Sequence, residues 1–259
     1  MSCALACSQH HEAQPTWPAW TTSNSLLELR HIACKVTHLG DRDFAAQQLL
    51  DTAYLDRRRS LIDPRHASQS GDDDVRAARR AQALASTNTT HFVTADGQGN
   101  FVSWTQTLGR HFGSRTMAGD TGIILNNFAQ AYPRHGLPMA ASIVTDAGGR
   151  PWMAVGAVGP LLQSIPQMIS HVIDFQLNPQ AALEAPRICV FEDFRVMLEG
   201  RFADATVREL TSRGHQCEVV GEWAFGEGEV SRGQMIVRDA TGTLMAASDT
   251  RADGAAQAV

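Results

Sequence analysis

Thr89-Thr90-His91-Phe92 is the stretch of this 259-residue chain whose residue types could do chemistry directly. If the Asn88–Thr89 peptide bond is cut, Thr89 gains a free α-amine beside its hydroxyl. An ordinary threonine hydroxyl is a weak nucleophile, but an α-amine with a pKa of about 7.7–8.0 can take its proton near neutral pH. The pair would form a complete unit for acyl transfer. A threonine pair at the head of a strand is also what strand propensity alone supplies, so the elements around it decide its meaning.

Those elements fall into three regions. Residues 1–24 read as an irregular arm, with Pro15, Pro18 and two tryptophans among Ser, Thr, Gln and His and no sustained period. From Ser25 to Leu39, Leu26, Leu29, Ile32, Ala33 and Val36 recur at helical spacing, and Gly40 offers a stop. Phe44 to Ile62 reads as a second helix, with Leu49, Leu50, Ala53, Tyr54 and Leu55 as its apolar side and Asp63-Pro64 as its end. Arg65 to Asn88, with its run Ser68-Gln69-Ser70-Gly71-Asp72-Asp73-Asp74, is polar enough to read as an exposed linker.

After Thr89 the pattern changes to alternation broken by turn signals. Three hairpins are predicted: 91–95 with 100–108 around Asp96-Gly97-Gln98-Gly99, 141–146 with 151–155 around Ala147-Gly148-Gly149-Arg150, and 234–237 with 243–247 around Asp239-Ala240-Thr241-Gly242. Helices are expected between them. Ser164 with Gln167 has the spacing of a capping box ahead of Met168, Ile169, Val172 and Ile173. Asn178-Pro179 reads as an N-cap and first helical residue, and Asp204 to Arg213 as a helix stopped by Gly214 before a strand 217–220. Strands with segregated helices make an α+β class, with mainly antiparallel sheet.

Composition narrows the chemistry. With 43% hydrophobic and 19% charged residues and a net charge of −5, the chain reads as an ordinary globular polypeptide with no basic stripe for nucleic acid or an anionic membrane. Arg57-Arg58-Arg59 reads as a solvated helix face. The five cysteines are scattered without CxxC spacing, and the ten histidines form no metal-ligand motif, so neither a disulfide framework nor a metal or other cofactor is expected. No apolar run reaches the length of a membrane span, and Met1 to Cys7 lacks the charge pattern of a signal peptide, which gives a cytoplasmic expectation. The expected partners are small molecules.

Several runs together carry a resemblance: Leu61-Ile62-Asp63-Pro64, Thr89-Thr90-His91-Phe92, Thr107-Leu108-Gly109, Phe112-Gly113-Ser114, Gly122-Ile123-Ile124-Leu125-Asn126-Asn127, Asp174-Phe175, Asn178-Pro179, Ala185-Pro186-Arg187 and Ala247-Ser248-Asp249. In this order, across roughly residues 30–256, the chain resembles the C-terminal half of the γ-glutamyltranspeptidase family of N-terminal nucleophile hydrolases. The resemblance implies a four-layer αββα sandwich, incomplete here because the family's N-terminal half is missing. It implies self-cleavage before Thr89, giving 1–88 and 89–259, with 25–88 as the end of a large-subunit-like region and 89–259 as a small-subunit-like catalytic region. Thr89 is then the nucleophile, Thr107 orients it, and Gly159 lies in the oxyanion loop. The substrate would be a small-molecule amide or γ-glutamyl compound, and the two fragments, or a missing partner chain, would associate.

The sequence also departs from the family. The oxyanion loop's paired glycines are replaced by Gly159-Pro160, and proline has no N–H to donate. The serines that grip a glutamyl carboxylate fall near Leu137-Pro138, the amine-binding groups near Phe128 and Ala131, and an expected asparagine is Gly109. A zwitterionic head would lose charge-assisted hydrogen bonds there, which turns the expectation away from glutathione. The alternative expectation is a truncated or degenerate family member without catalysis.

Overall fold

A computed structural model of the chain describes residues 51–60, 63, 65–67, 89–127, 139–190, 195–224 and 230–258. The arm 1–24, the helix expected over 25–39, most of the linker, Asn88, Phe128, Ala131 and Leu137-Pro138 lie outside the described residues. Of the second expected helix, α1 (Thr52–Ser60) is described. Asp51 caps it, its carboxylate accepting from the Tyr54 N–H at 2.8 Å. Thr52 and Ala53 are exposed, so the apolar side expected there is not buried at Ala53.

The three predicted hairpins are present: β1 (Thr89–Ala95) with β2 (Phe101–Thr107), β3 (Ser142–Thr145) with β4 (Pro151–Val158), and β8 (Arg232–Arg238) with β9 (Leu244–Ser248). One turn device closes all of them. Asp96, Asp146 and Asp239 each accept, on one carboxylate oxygen, from the backbone N–H groups two and four residues on, at 2.8–3.0 Å. Gly99, Gly149 and Gly242 follow with φ of 91°, 78° and 88°, which a side chain would resist.

The second and third hairpins join into one antiparallel sheet of order β3-β4-β8-β9, and the first stands as a two-stranded sheet packed face to face on β4 and β8. On the opposite face of the larger sheet lie α2 (Leu161–Ile173) and α3 (Pro179–Glu184). Residues of alternating parity on β4 supply both interfaces. Met153, Val155 and Ala157 join Met168, Leu183 and Met235 in the main core, while Ala154 meets Phe101 and Ile236 on the hairpin side. Gly233 lets the helices seat, because a side chain there would meet Met168 at 2.8 Å and Leu183 at 2.9 Å. Helix, sheet and sheet are three layers of the expected αββα sandwich.

A third sheet was not anticipated from the sequence. β5 (Ile188–Val190), β6 (Arg195–Leu198) and β7 (Gln216–Val219) form it, with β6–β7 parallel, so the expectation of mainly antiparallel sheet has this exception. The helix α4 (Asp204–Ser212) covers it through Leu210 and Val207, and ends as expected at Gly214, whose φ is 95°. The Asn178 cap is also as expected, accepting from the Ala181 N–H at 2.9 Å.

The capping box expected at Ser164 and Gln167 does not form. α2 begins three residues earlier at Leu161, and Ser164 is buried inside the helix with no hydrogen-bond partner for its hydroxyl. Gln167 serves the third sheet instead. Its amide accepts from the Ile188 N–H at 3.1 Å and donates to the Ile188 carbonyl at 3.0 Å. Gln163 treats Val190 the same way, at 2.7 and 3.1 Å. Four residues of helix advance about 6 Å and two residues of strand about 6.6 Å, so glutamines one turn apart match alternate residues of a strand edge.

A buried ion quartet ties these parts together. Arg187 meets Asp249 at 2.7 Å, Arg251 meets Asp249 at 3.0 Å, and Arg251 meets Glu199 at 2.5 Å, all with fully buried side chains. Burial alone would raise the Asp249 carboxyl, but the charges of Arg187 and Arg251 outweigh it and hold it below the usual carboxylate range. The quartet is neutral as a whole.

Candidate active site

The β1–β2 register places Thr89 directly opposite Thr107, at the open end of the hairpin. This is the pairing the sequence-based roles require, since cross-strand partners in an antiparallel ladder have adjacent side chains. Both are partly buried, on the face that looks toward β4 and β8. The Thr107 hydroxyl oxygen accepts from the Gly109 N–H at 3.0 Å, which fixes its orientation just past the strand. Gly109, with φ of 88°, makes that turn feasible.

The runs that follow in sequence return to the same place. Asn127 is buried; its N–H donates to the Leu108 carbonyl at 3.0 Å and its amide oxygen accepts from the Arg110 N–H at 3.1 Å. Ser114 donates to the Leu125 carbonyl through both its N–H, at 2.9 Å, and its hydroxyl, at 3.0 Å. At Gly113, a side chain would sit 2.2 Å from that carbonyl oxygen. Thr107-Leu108-Gly109, Phe112-Gly113-Ser114 and Leu125-Asn126-Asn127 are thus one pinned loop at the end of β2.

The inward face of the hairpin is divided. Toward the turn it is apolar, with Val93, Ala95 and Phe101 packed on Ala154 and Ile236. Toward the open end it is polar, with Thr89, His91, Ser103, Thr105 and Thr107. The outward face mixes Thr90, Thr94 and Gln106 with apolar residues, and there Phe92 stacks on Trp104 at 6.0 Å, both exposed. His91 is buried, 7% exposed, with Nδ1 2.7 Å from the Thr105 hydroxyl and Nε2 3.3 Å from that of Ser103. Burial lowers the ring's pKa from 6.5 to about 4, so it is neutral near pH 7.

Gly159 stands just past the end of β4 with φ of 93°, and a side chain there would approach the Val230 carbonyl at 3.3 Å. Pro160 caps α2 and accepts on its carbonyl from the N–H groups of Gln163 and Ser164. It contributes no donor of its own. Three residues before Gly159, Gly156 lies under the His91 ring, and a side chain there would fall 2.2 Å from Cε1. Sequence reasoning missed His91, Ser103, Thr105 and Gly156. The available signal was the run of polar residues at the inward positions 89, 91, 103, 105 and 107, beside the exposed aromatic pair Phe92 and Trp104. Among the described residues, no group of His, Cys, Asp and Glu is arranged to hold a metal ion, and no helix is long and apolar enough to cross a membrane.

Against this geometry the comparisons are consistent. The family profile described as Gamma-glutamyltranspeptidase matches residues 4–259. The chain is 33% identical over 242 residues to the glutathione hydrolase-like YwrD proenzyme of Bacillus subtilis, covering 83% of this chain and 44% of that protein. It is 32% identical over 231 residues to the acylase ACY 1 proenzyme of a Pseudomonas species, covering 82% and 38%. Among solved structures, the cephalosporin acylase of Bacillus halodurans superposes with a TM-score of 0.70 at 28% identity, over 92% of this chain and 45% of that one. The chain spans less than half the length of these relatives.

Proposed function

Because the chain belongs to the γ-glutamyltranspeptidase family, we propose that it is a self-processing amidohydrolase or acyltransferase with Thr89 as its N-terminal nucleophile. The observation that carries this reading is the register that sets Thr89 against Thr107, beside a loop pinned by Asn127 and Gly113. In the precursor, the Thr89 hydroxyl attacks the Asn88 carbonyl and the acyl group shifts from nitrogen to oxygen. Water then cleaves that ester, leaving 1–88 with a new carboxylate and Thr89 with a free amine.

In turnover the α-amine takes the hydroxyl proton as the oxygen attacks a substrate amide, then delivers it to the departing amine. The resulting ester is resolved by water in hydrolysis or by an acceptor amine in transfer. Thr107, held by Gly109, orients the attacking oxygen. Gly159 offers its N–H to the developing oxyanion. With Pro160 in the next position, a second donor must come from elsewhere, and lack of one such donor costs about 10²–10³ in rate. The substrate is a small amide, and the names of the relatives include a glutathione hydrolase-like proenzyme and an acylase. Leu137-Pro138 in place of carboxylate-binding serines favours an acyl group without the full zwitterionic head.

Intact mass of the purified protein tests the proposal. The expected result is two species split at Thr89, with Thr89→Ala whole and unable to hydrolyse a γ-glutamyl or acyl anilide. A wild-type chain that stays whole would overturn it. Pro160 favours a second reading, a family member that keeps the fold without catalysis. Anilide turnover abolished by Thr89→Ala excludes that one.

A further inference from the structure

We infer that His91 is a positioning residue that holds the nucleophile strand, its partner strand and the strand leading to Gly159 in one fixed relation. Thr105 sets the ring for that task. The inference rests on the proposed role of Thr89.

The hydrogen bonds around the ring have a single consistent direction. Ser103 donates its one hydroxyl proton to the Val155 carbonyl at 3.1 Å, so toward His91 its oxygen can only accept. Nε2 therefore carries the ring proton. A neutral imidazole has one proton and one lone pair, which leaves Nδ1 to accept the Thr105 hydroxyl proton at 2.7 Å. The chain runs from Thr105 through His91 and Ser103 to the β4 backbone.

Members of this chain lie close to residues of the proposed machinery. His91 is two residues from Thr89 on the same face of β1, and Thr105 is two residues from Thr107 on the same face of β2. The ring fills the space above Gly156, three residues before Gly159, and Ser103 holds the neighbouring Val155 carbonyl. One side chain thus touches all three strands that carry the nucleophile, its orienting partner and the proposed oxyanion donor. A purely structural filler would suit an apolar residue better, since the buried ring requires two satisfied nitrogens.

The test turns on Thr105, because His91→Ala leaves a cavity and risks misfolding. Thr105→Val keeps the branched shape but removes the hydroxyl proton that fixes Nδ1. Its kcat should fall about tenfold, with KM changed less than about twofold and self-cleavage slowed in parallel. Its thermal midpoint should drop as well, because the buried Nδ1 is left without its donor. Thr105→Ser keeps the hydroxyl and loses the strand-favouring methyl, so it should recover most of kcat while its midpoint drops. A merely structural role would move midpoint and kcat together in Thr105→Ser too. Long-range proton–nitrogen NMR of the wild type should find His91 protonated on Nε2 alone. Wild-type kcat in Thr105→Val, or a proton on Nδ1, overturns the positioning role while Thr89→Ala can still establish the nucleophile. A wild-type chain that neither splits nor turns over the anilide overturns both.

Discussion

Gly156 illustrates how one residue's identity is set by another far along the chain. An added Cβ would lie 2.2–2.8 Å from three atoms of the His91 ring, and the ring is held on both nitrogens. Gly156→Ala should therefore cost about 1–3 kcal/mol by overpacking, read as a lower urea midpoint. The loss should shrink in a His91→Ala background, because the clash partner is gone; equal losses in both backgrounds would place the strain elsewhere. At this scale the juxtaposition of Thr89 and Thr107 was legible, because their motif runs are contiguous and the β1–β2 register pairs them. The His91 contact was not, because nothing in either local sequence says which glycine a buried imidazole will rest on.

Among the elements, hairpins were the most legible, since an aspartate followed by a glycine in the left-handed region is a local code repeated at Asp96, Asp146 and Asp239. β5 and β6 were missed because the residues between them, Phe191-Glu192-Asp193-Phe194, lack that aspartate-glycine code, and β6 pairs in parallel with a strand beyond α4. The Ser164–Gln167 pattern misled for a related reason: the glutamine's partner is a distant strand rather than its own helix. The ion quartet joins the segment after α3, the end of β6 and the segment after β9. Asp249→Asn leaves Arg187 and Arg251 with one carboxylate between them. Breaking a buried pair on one side typically costs about 3–5 kcal/mol. Urea denaturation should show a loss of that order, and a loss below about 1 kcal/mol would mean that water reaches the quartet.

For the molecule as a whole, acid is the predicted weakness. Burial lowers the pKa of His91 and of His171 from 6.5 to about 4. The unfolded rings take up protons below the upper value and the folded rings only below the lower one. Unfolding therefore binds protons across this window, and stability falls as pH drops through it. Each ring contributes at most about 1.4 kcal/mol per pH unit. A urea midpoint unchanged between about pH 7 and about pH 5 would contradict this linkage. The four-layer expectation was legible only through family resemblance, since face-to-face packing of β1–β2 on β4 and β8 leaves no local periodicity that names its partner. The glutamine pair on α2 has a consequence for behaviour in solution. A strand edge with open N–H and carbonyl groups recruits further chains, and at Ile188 and Val190 two side-chain amides occupy those groups. Replacing Gln163 and Gln167 together with alanine should thus produce concentration-dependent light scattering under conditions where the wild type stays clear. Two amides, by this account, decide whether the molecule remains a discrete particle or seeds a growing one.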